Sequence, residues 1–206
     1  MPLTAIALNA TLKPSNGKPS STDRLIGEIA AALKAEGVET VETIRLADHD
    51  IKPGVSSDEG AGDAWPALRT RILAADILIL GTPIWMGQPS SVSKRVLERM
   101  DVFFSEVDDK GRTPAYGKVA VVAVVGNEDG AHHVSAELFQ ALNDVGYTLP
   151  AAAVTYWVGE AMGDVDYVDL KETPSKIDQT TKMLARNAAH LAGLLSGKIY
   201  PGLDRS

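Results

Sequence analysis

Three near-continuous apolar runs constrain this chain more than any other feature: Leu3–Asn9 (LTAIALN), Ala75–Leu80 (ADILIL) and Lys118–Val125 (KVAVVAVV). Each has the length of a strand. None alternates polar with apolar residues as a strand with one wet face does. Two shorter stretches, Val41–Leu46 and Leu149–Trp157, also read as strands. The segments between them switch to helical periodicity. Leu25, Ile29 and Leu33 fall in phase within Thr22–Glu36, and Gly37 is the stop signal. Asp63 reads as an N-cap, with Pro66 in the first turn of a helix that ends near Ala74. Val92, Val96, Met100 and Phe103 share a face within Ser90–Phe104, and Val134, Leu138 and Leu142 share one within Ala131–Val145. Ile177, Leu184, Leu191 and Leu195 mark the buried stripe of a last helix over Pro174–Ser196.

Apolar strands separated by helices predict a parallel sheet covered on both faces. Five strand–helix alternations fill the chain. The expectation is therefore an α/β three-layer sandwich of flavodoxin type, with strand order 2-1-3-4-5 and right-handed crossovers. At 206 residues this is one domain spanning 1–206. The tail from Gly197 to Ser206 reads as an extended arm or a frayed end.

Composition removes several classes of function. The chain has no cysteine, so disulfides, thiolate metal sites, iron–sulfur clusters and cysteine nucleophiles are all excluded. A net charge of −7 argues against nucleic acid as a partner. No apolar run reaches the ~20 residues of a membrane span. Met1-Pro2-Leu3-Thr4 lacks the basic start of a signal peptide, and the expectation is a soluble cytoplasmic protein without membrane contact. His132 and His133 are adjacent and cannot share a helix face, His133 and Glu137 are only two candidates, and Asp48-His49-Asp50 reads as a solvated loop; no metal site is expected.

In an open parallel sheet the ligand lies beyond the carboxyl ends of the strands. Three loops leave strand ends there. The first, Asn9–Leu25 (NATLKPSNGKPSSTDRL), carries Thr11, Lys13, Ser15, Lys18, Ser20, Ser21 and Thr22 and ends at a helix start. Hydroxyls, ammonium groups and free helix N–H groups suit a phosphate, although Ser20, Ser21 or Thr22 also reads as an ordinary N-cap. It is not a nucleotide P-loop: Leu12 stands where the first glycine should be, and Pro19 follows Lys18. The second loop, Gly81-Thr82-Pro83-Ile84-Trp85-Met86-Gly87, is apolar where a loop should be polar. Its side chains cover a helix or a subunit contact, or they wall a flat aromatic ligand; the bracketing Pro83 and Gly87 favour the wall. The third, Gly126–His133 (GNEDGAHH), sets Asn127 between Gly126 and Gly130. Glycine permits close backbone approach, and Asn127 offers both donor and acceptor to a heterocycle edge; a plain strand-to-helix turn is the alternative. Phosphate grip, planar wall and amide reader together describe flavin mononucleotide. FAD is disfavoured because no Gly-x-Gly-x-x-Gly fingerprint is present.

The segment GTPIWMGQPSSVSKRVLERMD (81–101) resembles the flavin-contacting segment of the NADPH-dependent FMN reductase family, and NEDGAHH (127–133) is similar to the strand-four loop of some relatives. The resemblance covers roughly Leu3–Leu149. It implies Thr11, Lys13, Ser20, Ser21 and Thr22 around the FMN phosphate, Thr82, Pro83, Ile84, Trp85, Met86 and Gly87 along the isoalloxazine, and Gly126, Asn127 and Gly130 at its pyrimidine side. The first loop is longer than the family's Gly-Ser start, and Asp23 must point away from a dianion. The implied activity is an FMN-dependent NAD(P)H oxidoreductase that passes electrons from NADPH or NADH to a small acceptor such as a flavin or quinone. The implied assembly is a homo-oligomer, dimer or tetramer. No side-chain acid or base is required, so no catalytic residue is assigned. A backbone N–H at Met86 or Gly87 is expected to stabilise the reduced ring, and Tyr156 and Trp157 are candidates for closing the pocket. The rival is a flavodoxin-like one-electron carrier; the modest charge and the extra length favour the enzyme.

Overall fold

In the computed structural model, residues 2–203 are described. β1 (Thr4–Asn9), β2 (Glu39–Arg45), β3 (Ile77–Trp85), β5 (Val119–Gly126) and β6 (Val154–Val158) form a parallel sheet in the order β2-β1-β3-β5-β6, and a short β4 (Gln88–Pro89) pairs antiparallel with the end of β3. Setting aside β4, this is the expected flavodoxin-like order. The helices are α1 (Ser21–Ala35), α2 (Trp65–Ala74), α3 (Ser91–Met100), α4 (Ala131–Asp144) and α5 (Ser175–Leu195).

The apolar strands split by residue parity. Ile6, Leu8, Leu78, Leu80, Val122 and Val124 face α2, α3 and α4, which supply Leu68, Ile72, Val96, Met100, Val134 and Leu138. Ala5, Ala7, Ile77, Ile79, Val121 and Ala123 face α1 and α5, which supply Leu25, Ile29, Leu33, Leu184 and Ala188. Both faces are therefore dry, which is why no alternation is visible in the sequence. Each fully buried Leu, Ile or Val contributes ~1.5–3 kcal/mol.

Four boundaries differ from expectation. β3 does not stop at Leu80: Gly81, Thr82 and Pro83 stay paired with Ala123, Val124 and Val125. Pro83 needs no N–H donor here because the strand is leaving the sheet to form the hairpin with β4. β6 begins at Val154, since Pro150 has no N–H and Ala152 takes φ 57. α3 ends at Met100 and continues as a turn of 3-10 helix over Asp101–Phe104, which keeps Phe103 in the core. The tail is docked rather than frayed up to 203: the Leu203 N–H donates to the Lys110 carbonyl (2.9 Å), and Tyr200 meets Tyr116 edge-on at 6.0 Å. Residues 204–206 lie outside the described part.

Asp63 is not the N-cap of α2. Ala64 holds that place, and Asp63 accepts from the Trp65 N–H at 3.1 Å. Its carboxylate also accepts from the Lys52 and Glu59 N–H groups and pairs with Arg99 at 2.8 Å, both side chains fully buried. Arg99 in turn donates to the Lys52 carbonyl at 3.0 Å. This ion pair fastens the long 48–62 loop onto α3. Burial alone would raise the Asp63 pKa. The Glu59 and Trp65 N–H groups, the Arg99 guanidinium and the Lys52 N–H outweigh burial and bring the pKa down to about 2.

A carboxylate held this low stabilises the fold fully above the unfolded value of about 3.9 and loses that contribution as pH falls through about 2. Asp63→Asn strands the Arg99 charge, so it should cost ~3–5 kcal/mol at neutral pH. It should also flatten part of the stability loss between pH 4 and 2; urea midpoints of both proteins across that range measure the two effects together.

Candidate functional site

The carboxyl ends of β1, β3 and β5 open onto a cleft of about 510 Å³, within the range usual for small-molecule sites. At one end lies the start of α1. Asn9, fully buried at the end of β1, organises it: its Oδ1 accepts from the Thr11 N–H (2.9 Å), and its Nδ2 donates to Ser20 Oγ (3.4 Å) and to Asp23. Ser20 is the N-cap. Its Oγ accepts from the Asp23 N–H at 3.1 Å, and its own N–H donates to Asp23 Oδ2 at 2.7 Å, a capping box closed by Asp in place of Glu. Arg45, from the end of β2, pairs with Asp23. The Asp23 charge is thus spent on Arg45, Asn9 and the cap.

The capping box takes the Asp23 N–H and leaves the first-turn N–H groups of Ser21 and Thr22, which have no i−4 carbonyl in the helix. Ser21 Oγ accepts from the Val168 N–H at 3.2 Å. Thr22 is only 2% exposed. Its methyl carbon would stand 2.9 Å from a Cβ at Gly81, and Ile26 Cδ1 only 2.6 Å from it. A glycine at 81 is what lets α1 lie this close to β3. Thr11, Lys13, Ser20, Ser21 and Thr22 all line the cleft, with Leu12 and Pro19. Ser15 is turned away: its N–H donates to Asp48 Oδ1 at 2.6 Å, and the Ser15 hydroxyl and N–H lower the Asp48 pKa. Asp48, exposed to solvent as expected, also anchors the first loop.

The second wall is the β3–β4 hairpin. Ile84 pairs with Pro89 and Trp85 with Gln88, leaving Met86 and Gly87 as the two-residue turn. Their φ values, 55 and 69, are both positive, as a I′ hairpin turn requires. The apolar loop read from the sequence is thus a β-hairpin. Pro83, Ile84, Trp85 and Met86 line the cleft; Trp85 is 51% exposed and Met86 89%. Thr82 and Gly87 do not line it. Thr82 is fully buried: its Oγ1 accepts from the Ser90 N–H at 3.0 Å and lies 3.2 Å from Ser93 Oγ. Ser90 Oγ donates to the Ala10 carbonyl at 2.6 Å and caps α3 through the Ser93 N–H. This hydroxyl knot ties the first loop to the hairpin, so Thr82 positions the wall from behind.

The third loop contributes Gly126, Asn127 and Glu128. Asn127 lines the cleft, but its amide nitrogen and carbonyl are engaged by protein. Its Nδ2 donates to the Gly163 carbonyl (3.1 Å) and to Asp166 Oδ1 (3.2 Å), and its main-chain carbonyl accepts from the Met162 N–H (2.8 Å). Gly130 is away from the cleft. It is the N-cap of α4 at φ 124, and a Cβ there would lie 3.0 Å from the Gly87 main chain. The hairpin turn therefore rests on the start of α4. The Met86 N–H, expected to face a ring, donates to Glu128 Oε1 at 3.0 Å. Tyr156 and Trp157 do not line the cleft. Tyr156 OH lies 3.1 Å from His132 Nε2, and Trp157 packs on Tyr167 at 5.3 Å. His133 lies 2.7 Å from Glu137 and 2.9 Å from Gln88.

Sequence reasoning missed one wall. Met162, Gly163, Asp166 and Val168, in the segment after β6, complete the cleft, with Met162 89% exposed. The signal was present: Gly159-Glu160-Ala161-Met162-Gly163 after an apolar strand has the same glycine spacing as GNEDG after β5. Among the lining residues Lys13 is the one cation, and Glu128 and Asp166 are the carboxylates.

A parallel sheet of this order, with a helix N-terminus at one end of a cleft and an apolar hairpin at the other, defines a flavodoxin-like protein. The comparisons narrow this. The model of the NADPH-dependent FMN reductase family matches residues 6–163. The chain is 34% identical over 210 residues to 8-demethyl-8-aminoriboflavin-5'-phosphate synthase of Streptomyces davaonensis, covering 97% of this chain and 81% of that protein. The crystal structure of RosB with bound 8-demethyl-8-formylriboflavin-5'-phosphate superposes with a TM-score of 0.86 at 33% identity, covering 96% of this chain and 82% of the other. A protein of Mycobacterium bovis named divalent metal cation transporter MntH is 39% identical over 200 residues, which are 94% of this chain but 29% of that protein. The chain thus spans less than a third of that relative's length. The chain belongs to the NADPH-dependent FMN reductase family, a family of oxidoreductase-type flavoproteins that work with FMN and NADPH. Among the described residues no helix is long and apolar enough to cross a membrane.

If Gly81 sets the distance between α1 and β3, Gly81→Ala should cost ~1–3 kcal/mol through overpacking. Adding Ile26→Val, which removes the nearest carbon, should recover part of that loss in urea unfolding.

Proposed function

We propose that the protein is an FMN-dependent NAD(P)H oxidoreductase that passes electrons from a nicotinamide to a small acceptor. The observation that carries this reading is the polarity of the cleft: unclaimed N–H groups, a hydroxyl and one lysine at the α1 end, and an apolar hairpin at the other. That donor set fits a phosphate on an aromatic ligand. Ser21 and Thr22 N–H, Ser21 Oγ and Lys13 would hold the phosphate, with the helix dipole adding ~0.3–1 kcal/mol. Pro83, Ile84, Trp85 and Met86 would lie along the ring. FMN, when bound, supplies the redox chemistry. The protein binds it, orients it and limits water on one side through the hairpin. Trp85, held in a two-residue hairpin, is the side chain that would position a nicotinamide at the open side. No side chain of the cleft is required to carry a proton.

A second reading draws on the likeness to RosB. There a riboflavin phosphate would be the compound acted on, and the same cleft would hold it as substrate. Mass spectrometry of the flavin after turnover separates the two: an unchanged FMN supports the electron-transfer reading, and a modified ring supports the other.

Two variants test the first reading. Ser21→Asp puts a carboxylate at the first position of α1, where the helix dipole tolerates it, but opposite a ligand phosphate. FMN should bind at least about tenfold more weakly, while riboflavin, which lacks the phosphate, binds as before; equal loss for both would move the phosphate elsewhere. Trp85→Ala should leave FMN bound and slow its reduction by NADPH and NADH on the order of 100-fold, through misplacement of the nicotinamide. Anaerobic stopped-flow reduction reads this. A parent protein that neither nucleotide reduces would instead favour a one-electron carrier.

A further inference from the structure

The Met86 N–H is the first central amide of a two-residue turn, and the hairpin's own hydrogen bonds do not use that group. It points from the tip, beside the cleft. Glu128, from the end of the neighbouring strand, reaches over and accepts it at 3.0 Å. Both residues line the cleft. The contact spans 42 residues of sequence and joins the two loops that bracket the ring end. Met86 is also held at φ 55, a conformation that costs an ordinary side chain of order 1–3 kcal/mol. A charge-assisted hydrogen bond donated to a half-buried carboxylate is a stabilising contact that holds it there.

We propose that Glu128 is a positioning residue that acts as a competitive latch on the hairpin tip. Its carboxylate caps the Met86 N–H. A ligand atom that accepts that N–H must displace the carboxylate, which then remains in the cleft wall as a free acceptor and a negative charge. Glu128 therefore lowers affinity for the ring while keeping the tip ordered, and it opposes the addition of electrons to a ligand beside it. This inference rests on the assignment of the cleft to FMN.

The test compares the parent with Glu128→Gln, which keeps an acceptor without charge, and Glu128→Ala, which removes both. In the flavin-free proteins, the Met86 amide resonance in a nitrogen-15 spectrum should move in both variants, further in the alanine one. Affinity for riboflavin and for FMN should rise in the order Glu, Gln, Ala, reaching about tenfold for Ala. The reduction potential of bound FMN should rise in both variants, a shift that a merely structural contact would not produce. Equal affinities and potentials in the three proteins overturn the latch alone, and so does the reverse order, which would make Glu128 a support for the tip. An unmoved Met86 resonance also overturns it. Failure of all three proteins to bind either flavin overturns the FMN assignment and the latch with it.

Discussion

A parallel sheet buried on both faces leaves little place for a polar side chain along its central strands, and the rest of the molecule follows from that restriction. Polar groups collect where the strands end. Asn9 closes β1, Thr82 stands near the end of β3 and Asn127 follows β5. Each is partnered by protein. Asn9 satisfies the cap of α1 and the turn at Thr11, Thr82 meets Ser90 and Ser93, and Asn127 holds the segment after β6. A buried polar group without a partner costs ~1–3 kcal/mol, so these partnerships are conditions for placing such residues there at all.

The consequence for the site is a division of labour. The residues that shape the cleft are mostly turned away from it, and what they leave exposed to a ligand is backbone N–H, a hydroxyl, a lysine and apolar surface, beside the protein-bonded carboxylates of Glu128 and Asp166. Gly81 sets how near α1 comes, and Gly130 sets where the hairpin turn rests. Such a cleft binds by shape and by fixed dipoles, which suits chemistry carried by a bound cofactor more than chemistry carried by side chains.

The fold was legible because its signals are long and redundant: unbroken apolar strands, helices with in-phase stripes, and a strict alternation of the two. The site was legible at the level of loops and less so at the level of residues. Nothing local distinguishes Thr11 in the cleft from Thr82 behind it, since both are threonines near strand ends and only the packing of α1 and α3 separates them. Gly87 and Gly130 read as room for a ligand, whereas Gly130 makes room for the Gly87 main chain and Gly87 supplies a positive φ to the hairpin turn. Asp63 looked like a cap because Pro66 follows at helix-start spacing; its partner Arg99 lies 36 residues away and carries no sequence mark. The segment after β6 follows the edge strand, away from the switch point, and its only local mark is a glycine bracketing like that of the loop after β5.

Asn127 gives the cleft a property in time as well as in space. Its side chain and carbonyl hold Met162, Gly163 and Asp166 through three hydrogen bonds, so the middle of one wall hangs from one residue of the opposite loop, between ties at Gly159 to Gly126 and Val168 to Ser21. Contacts hung from a single point let go together. A ligand enclosed by that wall would leave when the wall opens, and its residence time would follow the frequency of that opening more than the number of contacts it makes. Two ligands of unequal affinity could then depart at similar rates, with the difference between them appearing at arrival.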